Sequence, residues 1–349
     1  DEALIALEKA ILLNPDNIEA LVDFNDALIL TGEVLAAQEL NQHLSALDNL
    51  PVALSNHLID RSQIISNKIS KLTALVEISK LWDSNLNNGV RFNTLRDGLP
   101  VFWPILSEDY ISKSGQSTLL NTSFLYQRLT HLGQLHMKFE TNLRETKLNS
   151  GDFDRVALSG GLSIGSVGNS SKEYSFGYEV ILFNNEPIVD DLNFNVEFKH
   201  LSFNDFVINQ KTYLEYQRFP TNPLMNGLEF GLVAIFYDKA IDYPGSIGVQ
   251  FFSNRAIENQ RPGGGRLGIK LSYDLDFSIL QTQISNSVSY KYLIDEDIYD
   301  NLQGLNRKRE VSSWLYTAKF ITPLTEKLNF FVSLNKRIQN SNINLFERQ

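Results

Sequence analysis

Between Leu280 and Leu293 the chain reads LQTQISNSVSYKYL, and its residues sort into two sets by alternation. Thr282, Ile284, Asn286, Val288, Tyr290 and Tyr292 fall on one side. Gln281, Gln283, Ser285, Ser287, Ser289 and Lys291 fall on the other. A period of two is that of an extended strand, whose successive side chains point to opposite faces. The same alternation predicts about thirteen strands, near 69–82, 116–128, 131–142, 153–165, 172–183, 192–200, 210–219, 228–238, 246–253, 266–277, 280–293, 310–322 and 328–339. Leu135, Met137 and Phe139 oppose Gln134, His136, Lys138 and Glu140. Leu192, Phe194, Val196 and Phe198 oppose Asn193, Asn195, Glu197 and Lys199. Leu267, Ile269, Leu271 and Tyr273 oppose Lys270, Ser272 and Asp274.

Many of these segments exceed the usual strand length of about 5–6 residues. They match the roughly 9–11 residues that a tilted strand needs to cross a bilayer. The connections point the same way. Tight turns follow even strands, and the long polar connections follow odd strands, as at 83–115, 254–265 and 294–309. Up-and-down outer-membrane barrels have short periplasmic turns at one rim and longer loops at the other. The expectation is an antiparallel barrel over 69–349, of about 14 strands because such barrels have even numbers, with the last strand missing from this sequence. A soluble β-sandwich or β-helix is the competing architecture.

The first part of the chain has the other period. Ala3, Leu7, Ala10 and Ile11 make a stripe at helical spacing, and Asn14-Pro15 ends it, because a residue before proline is pushed out of the helical region. A second helix carries Ala20, Leu21, Phe24 and Leu28 and stops at Gly32. A third follows, and Pro51 opens a fourth. Residues 1–65 therefore form a helical domain. Small residues at close-packing positions, a proline after one helix and a glycine closing the next resemble tetratricopeptide repeats. Such repeats bind partners along a face, and the predicted partner-binding face is Leu21, Phe24, Asn25 and Leu28.

Composition narrows the function. The chain has 349 residues, a formal net charge of -10 and no cysteine. An acidic surface argues against broad nucleic-acid binding, which needs cations against phosphate. Without cysteine there is no disulfide scaffold and no thiolate metal site. No apolar run is long enough for a transmembrane helix, and a mean hydropathy of -0.17 is compatible with a barrel whose inner face is polar.

Catalytic patterns are absent. His43, His57, His131, His136 and His200 have no metal-ligand spacing. SGGLSIGSVG lies in a strand and its turn rather than ahead of a helix, and RPGGGR reads as a flexible loop. The acidic pairs Asp190-Asp191 and Glu296-Asp297 read as loop charges. The expectation is a non-enzymatic protein without cofactor or metal. Its predicted lumen-facing residues are Gln134, His136, Lys138, Glu140, Asn195, Glu197, Lys199, Lys270, Asp274, Gln283, Ser285 and Lys291. Trp82, Tyr126, Tyr290, Tyr292, Trp314 and Tyr316 are expected at the membrane interface.

Two short elements carry a family resemblance. WDSNLNNG follows the helices, and RIQNSNINLFERQ precedes the place of a last strand. With FDRVALSGGLSIG as a middle strand, they resemble bacterial outer-membrane proteins with periplasmic tetratricopeptide repeats, nearest to the surface lipoprotein assembly modifiers. That resemblance implies a fourteen-stranded barrel in a Gram-negative outer membrane, with helices in the periplasm. It also implies translocation of a client protein or surface lipoprotein. The partners expected are membrane lipid, the client, and an extracellular partner at the three long connections. Exopolysaccharide export, or a barrel that anchors a surface assembly without transport, are the alternatives.

Overall fold

Asn17 and Gly32 mark the two ends of a helix in the computed structural model of the protein. It describes residues 2–47, 50–85, 112–146, 155–166, 172–183, 186–203, 206–238, 245–299, 307–343 and 346. Helix α1 spans Glu2–Leu13 and stops ahead of Pro15. Helix α2, Ile18–Thr31, is capped by Asn17, whose side chain accepts from the Ala20 N–H at 3.2 Å. It ends at Gly32, in the left-handed conformation that glycine adopts without strain. Helices α3 (Val34–Ser45) and α4 (Val52–Ile69) follow.

Each helix packs on the next. Leu28, Ile29, Val34, Ala37, Ile65 and Ile69 form one buried cluster, and Val22, Leu44 and Leu58 form another. A buried amide pair crosses this core. Asn25 Nδ2 donates to Asn41 Oδ1 at 3.1 Å, and Asn41 Nδ2 donates to the Leu58 carbonyl at 3.2 Å and Ser62 Oγ at 2.7 Å. Asn25 is 0% exposed, Leu28 is buried, and Leu21 and Phe24 pack against the two clusters. The stripe predicted to bind a partner is therefore the core-facing side of α2. An apolar stripe at helical spacing marks what a helix buries, and here its own neighbours cover it.

Helix α4 runs into the first strand without a linker, at Ile69–Ser70. By contacts the chain forms two compact units. One comprises residues 1–74, 124–138 and 164–166, and the other holds the rest. The first unit thus takes in the turn after the second strand, where Leu129 packs on the helical core and His131 lies 3.3 Å from Glu39.

Among the described residues, thirteen strands form one sheet in strict sequence order. They are β1 (Ser70–Asp83), β2 (Gly115–Thr130), β3 (Gly133–Thr146), β4 (Arg155–Gly165), β5 (Lys172–Phe183), β6 (Glu186–Phe203) and β7 (Phe206–Arg218). The remainder are β8 (Gly227–Asp238), β9 (Gly245–Ala256), β10 (Arg266–Ile279), β11 (Thr282–Ile298), β12 (Lys308–Thr325) and β13 (Leu328–Ser341). Neighbours from β5 to β13 are antiparallel. This is the up-and-down order that the sequence predicts, one strand short of the implied fourteen.

Differences lie at the strand ends. β6 starts at Glu186 rather than 192, and β11 runs to Ile298, so Asp190-Asp191 and Glu296-Asp297 belong to strands. Their charges hide the alternation, because each pair places one carboxylate on either face. The connection between β5 and β6 is also short, against the predicted parity. The turn into β11 is Leu280-Gln281, two residues later than predicted. A shift of two preserves the side each residue faces; a shift of one would invert it.

The sheet curls. Glu77 on β1 and Lys319 on β12 stand near opposite ends of the strand order, yet Lys319 Nζ lies 3.9 Å from Glu77 Oε2. Flat neighbouring strands are about 4.8 Å apart, so only curvature can bring these two together.

Two outcomes are expected. Asn41→Ala removes three hydrogen bonds, among them the one that the buried Asn25 amide donates, so it should destabilise the helical unit by about 2–3 kcal/mol; faster protease cleavage within residues 1–69 of the intact protein reads this. Glu77→Cys combined with Lys319→Cys should be joined within one chain by a short bis-maleimide, which forms a thioether with each thiol, seen as an altered gel mobility. An open, flat sheet would give no such product.

Candidate functional site

Glu77 and Lys319 identify the concave, inner face; strand register carries the assignment from β12 to β5, and the hydrogen bonds of Asn121 to Glu77 and of Asn142 to Asn121 carry it from β1 to β3. Gln134, His136, Lys138 and Glu140 share one face of β3 by alternation, and His136 Nε2 lies 3.4 Å from Gln127 Nε2. Asn195 on β6 donates to Ser175 Oγ at 3.0 Å and to Asn193 Oδ1 at 3.1 Å. Glu197 and Glu173 are direct cross-strand partners, and Lys199 bridges them. Lys270 opposes Gln250 and Lys291, and Asp274 opposes Ser246 and Ser287. Gln283, Ser285 and Lys291 share a face of β11, and Lys291 Nζ lies 4.6 Å from the centre of the buried Phe252 ring. A polar recess of roughly 400 Å³ opens on this wall, lined by Glu77, Asn121, Ser123, Glu140, Ser159 and Glu179 among others.

The opposite face is apolar and uncovered. Ile78 is 71% exposed, Phe251 56% and Leu334 59%, and Phe176, Phe230, Leu271 and Tyr273 share this character. Asn286 falls on this face, where an amide in an apolar setting is costly. Tyr316 Oη donates to Asn286 Oδ1 at 3.3 Å and partly offsets that cost. Trp82, Trp314 and Tyr316 are exposed there, and Trp314 packs on Tyr290 with ring centres 4.8 Å apart. Beyond the Tyr178–Leu192–Tyr216 row, toward the strand ends at 183 and 218, Arg218 Nε donates to Asp190 Oδ2 at 2.7 Å. This ion pair ends the apolar band.

Charge on the inner wall is sorted at the end of the long connections. Glu179 directly opposes Asp191, and Glu215 directly opposes Glu229. Like charges placed opposite each other destabilise a sheet, and hydrogen bonds to these carboxylates offset part of that cost. Gln217 donates to Glu215 at 2.6 Å, and Tyr213 Oη donates to Glu229 at 2.8 Å. Across β9 the sign changes. Asp295 is 1% exposed; Arg309 Nη2 donates to its Oδ1 at 2.8 Å, and Arg266 Nε lies 3.6 Å from the same oxygen.

The β9–β10 connection, residues 257–265, completes this basic arc. RPGGGR, expected as a flexible loop, is ordered, and Arg261 to Gly265 are buried. The Glu296 N–H donates to the Gly265 carbonyl at 2.8 Å and the Asp297 N–H to the Gly263 carbonyl at 3.0 Å. Gly263 and Gly264 take positive φ, which glycine tolerates. A Cβ on either would collide with the carboxylate of Asp295 or Asp297 respectively. Arg261 then reaches the inner wall and donates to Asn254 Oδ1, against Gly227. Burial lowers the pKa of Arg261 from the usual guanidinium value, while Asp295 opposes that shift.

The two family-like elements act at the same end of the sheet. Asp83 of the DSN element accepts from Arg144 Nη2 at 3.1 Å and from the Asn85 N–H at 2.9 Å. Asn342 of the SNI element donates to the Lys308 carbonyl at 2.8 Å and accepts from the Glu310 N–H at 2.9 Å. Ile343 is fully buried, and the Arg309 guanidinium lies 4.4 Å from the centre of the Phe346 ring. Both elements thus brace strand ends. Most of the 83–115 connection and residues 300–306 lie outside the described residues.

Arg261, Arg266, Arg309, Asp295 and the carboxylate arc were not among the predicted site residues. Continuing the alternation of β10 back to Arg266 would have found one of them. Nothing in the sequence marks Arg261, which a loop carries inward.

No family model matches the chain, and no curated protein matches it significantly. Similar solved structures include OccK10 (OpdN) of Pseudomonas aeruginosa, 9% identical, with a TM-score of 0.33 over 79% of this chain and 94% of that one. OccAB4 of Acinetobacter baumannii is 11% identical, with a TM-score of 0.36 over 78% and 81%. CdiB of Acinetobacter baumannii is 10% identical, with a TM-score of 0.33 over 81% and 68%. Likeness at these scores transfers no activity to this chain.

Because the chain has no cysteine, face assignments can be read by single substitution. Gln283→Cys and Lys291→Cys should react with a charged, water-borne thiol reagent when the protein sits in lipid. Ile284→Cys and Phe251→Cys should be protected. The reverse pattern would invert the wall.

Proposed function

We propose that this chain spans a bacterial outer membrane as a β-barrel and carries a client protein to the cell surface, or displays it there, with the helical unit recruiting the client in the periplasm. One observation carries the reading: a single curled sheet has an exposed apolar outer face and a polar, charged inner face. The largest apolar patch on a typical soluble monomer is about 300–600 Å². Here the uncovered face runs along many of the strands. Water penalises such a face and lipid does not. Strands can cross a bilayer only when their backbone groups pair with one another, as consecutive strands do here.

The protein client rests on the resemblance of the DSN and SNI elements. A recruiting surface has to lie away from the buried stripe of α2, and the exposed Leu12, Leu13 and Leu30 supply apolar side chains for it. Exopolysaccharide is the weaker cargo. A sugar track uses open aromatic faces, but Tyr213 lies across Gly231, while Lys291 and Lys319 sit over Phe252 and Phe331. The connection at 257–265, which folds onto the inner wall, favours the second reading, a barrel that anchors a surface assembly.

Cell fractionation and gene deletion test this. The native protein should require detergent for release from the outer-membrane fraction, and its recovery as a soluble protein would refute the membrane reading. Deletion should remove at least one protein from the surface-biotinylated set while surface polysaccharide stays constant. If both remain unchanged, export is wrong.

A further inference from the structure

We propose that the helical unit takes a cationic, amphipathic segment of the client on the exposed stripe of α2 that carries Glu19, Asp23 and Leu30, beside α4. The inference rests on the recruiting role proposed above and adds where the client is held and by what chemistry.

Charge is the first support. Residues 1–69 hold eleven Asp and Glu against Lys9, Arg61 and Lys68, so this segment bears -8 of the chain's -10. Two of its three bases are turned toward the unit itself. Arg61 Nε and Nη2 lie 2.6 Å and 2.8 Å from the Asp26 carboxylate, with His57 Nε2 at 3.4 Å. Lys68 Nζ donates to the Ile29 carbonyl at 2.9 Å. Glu19 and Asp23 are exposed, and neither carboxylate has an ionic partner among the described residues. The excess negative charge is thus left facing water rather than cancelled within the unit.

Periodicity is the second. Positions 19, 23, 26 and 30 form one row along α2, because residues three or four apart are neighbours on a helix surface. That row lies away from Ala20, Val22, Asn25, Leu28 and Ile29, which α2 buries. It presents two unpaired carboxylates, then Asp26 held by α4, then Leu30 at 83% exposure. The Asp26–Arg61 ion pair joins the row to α4, where Asp60 and Ile64 are also exposed. Opposite charge steers a partner onto such a face and fixes its register, and the apolar side chains add contact that excludes water. A segment with lysines or arginines set between apolar residues complements both features. Phosphate-bearing surfaces, of lipid or nucleic acid, carry the sign of charge that this face repels.

The test uses the full chain, in detergent and in cells. The probes are a synthetic amphipathic peptide of leucine and lysine at helical spacing and its twin with glutamate for lysine. Glu19→Lys combined with Asp23→Lys reverses the stripe. Glu2→Lys combined with Glu8→Lys makes the same change of net charge on α1 and serves as the control. Resistance to protease within residues 1–69 scores folding, and Glu19→Gln combined with Asp23→Asn replaces the reversal if that loosens the unit. Wild type should bind the lysine peptide in preference to its twin. The stripe variant should weaken that binding about tenfold and the control by less than about twofold. In a strain lacking the gene, the control should restore the surface proteins that the deletion removes, and the stripe variant should not. No preference between the peptides, equal loss of affinity in both variants, or full restoration by the stripe variant would overturn the inference. A deletion that removes no surface protein would overturn the recruiting role beneath it.

Discussion

Every strand of this sheet has two faces and only one of them meets protein. That single constraint organises the larger unit. A soluble sheet covers its apolar face with a second layer, and here the described strands have none. The apolar side chains therefore stand outward, and the polar side chains must satisfy one another on the inner wall. The networks there follow from that need: Asn195 with Ser175 and Asn193, Lys199 between Glu173 and Glu197, and Tyr213 with Glu229 and Gln250. Backbone pairing closes the account, because each interior strand lies between two neighbours.

The same constraint explains the concentration of charge at one end. Midway along the strands the inner wall is built largely of Ser, Asn, Gln and Lys. Toward the long connections it holds paired carboxylates on β5 to β8 and arginines on β10, β12 and the 257–265 connection. Asn254 stands at the border, donating to Gln217 and Glu229 while accepting from Arg261. The DSN and SNI elements anchor this end, one through Arg144 and the other through the backbone of β12. Short motifs that look like signatures in a sequence are here the fastenings of a rim.

The helical unit obeys the opposite rule. Its apolar stripes are spent on each other, and its buried Asn25–Asn41 pair is a polar link inside a small core. A buried amide must find partners or lose stability, which ties α2, α3 and α4 into one arrangement. Any surface offered to a partner must then come from side chains that this core does not use.

Alternation by itself determined much of this protein. It placed the thirteen strands in order and assigned Gln283 and Lys291 to one face and Tyr290 and Tyr292 to the other, because a strand's side-chain period is two and errors of two residues at a turn leave the faces intact. The apolar stripe of α2 was equally visible, but periodicity says only that a stripe is covered, and the tertiary structure decided that α3 and α4 cover it. Strand ends that carry Asp190-Asp191 and Glu296-Asp297 were hidden, since charges on both faces erase the pattern. The inward path of Arg261 was decided by tertiary structure alone. It depends on a carboxylate from a different strand meeting each of three glycines, and a match between segments about thirty residues apart leaves no local signal for a single sequence to show.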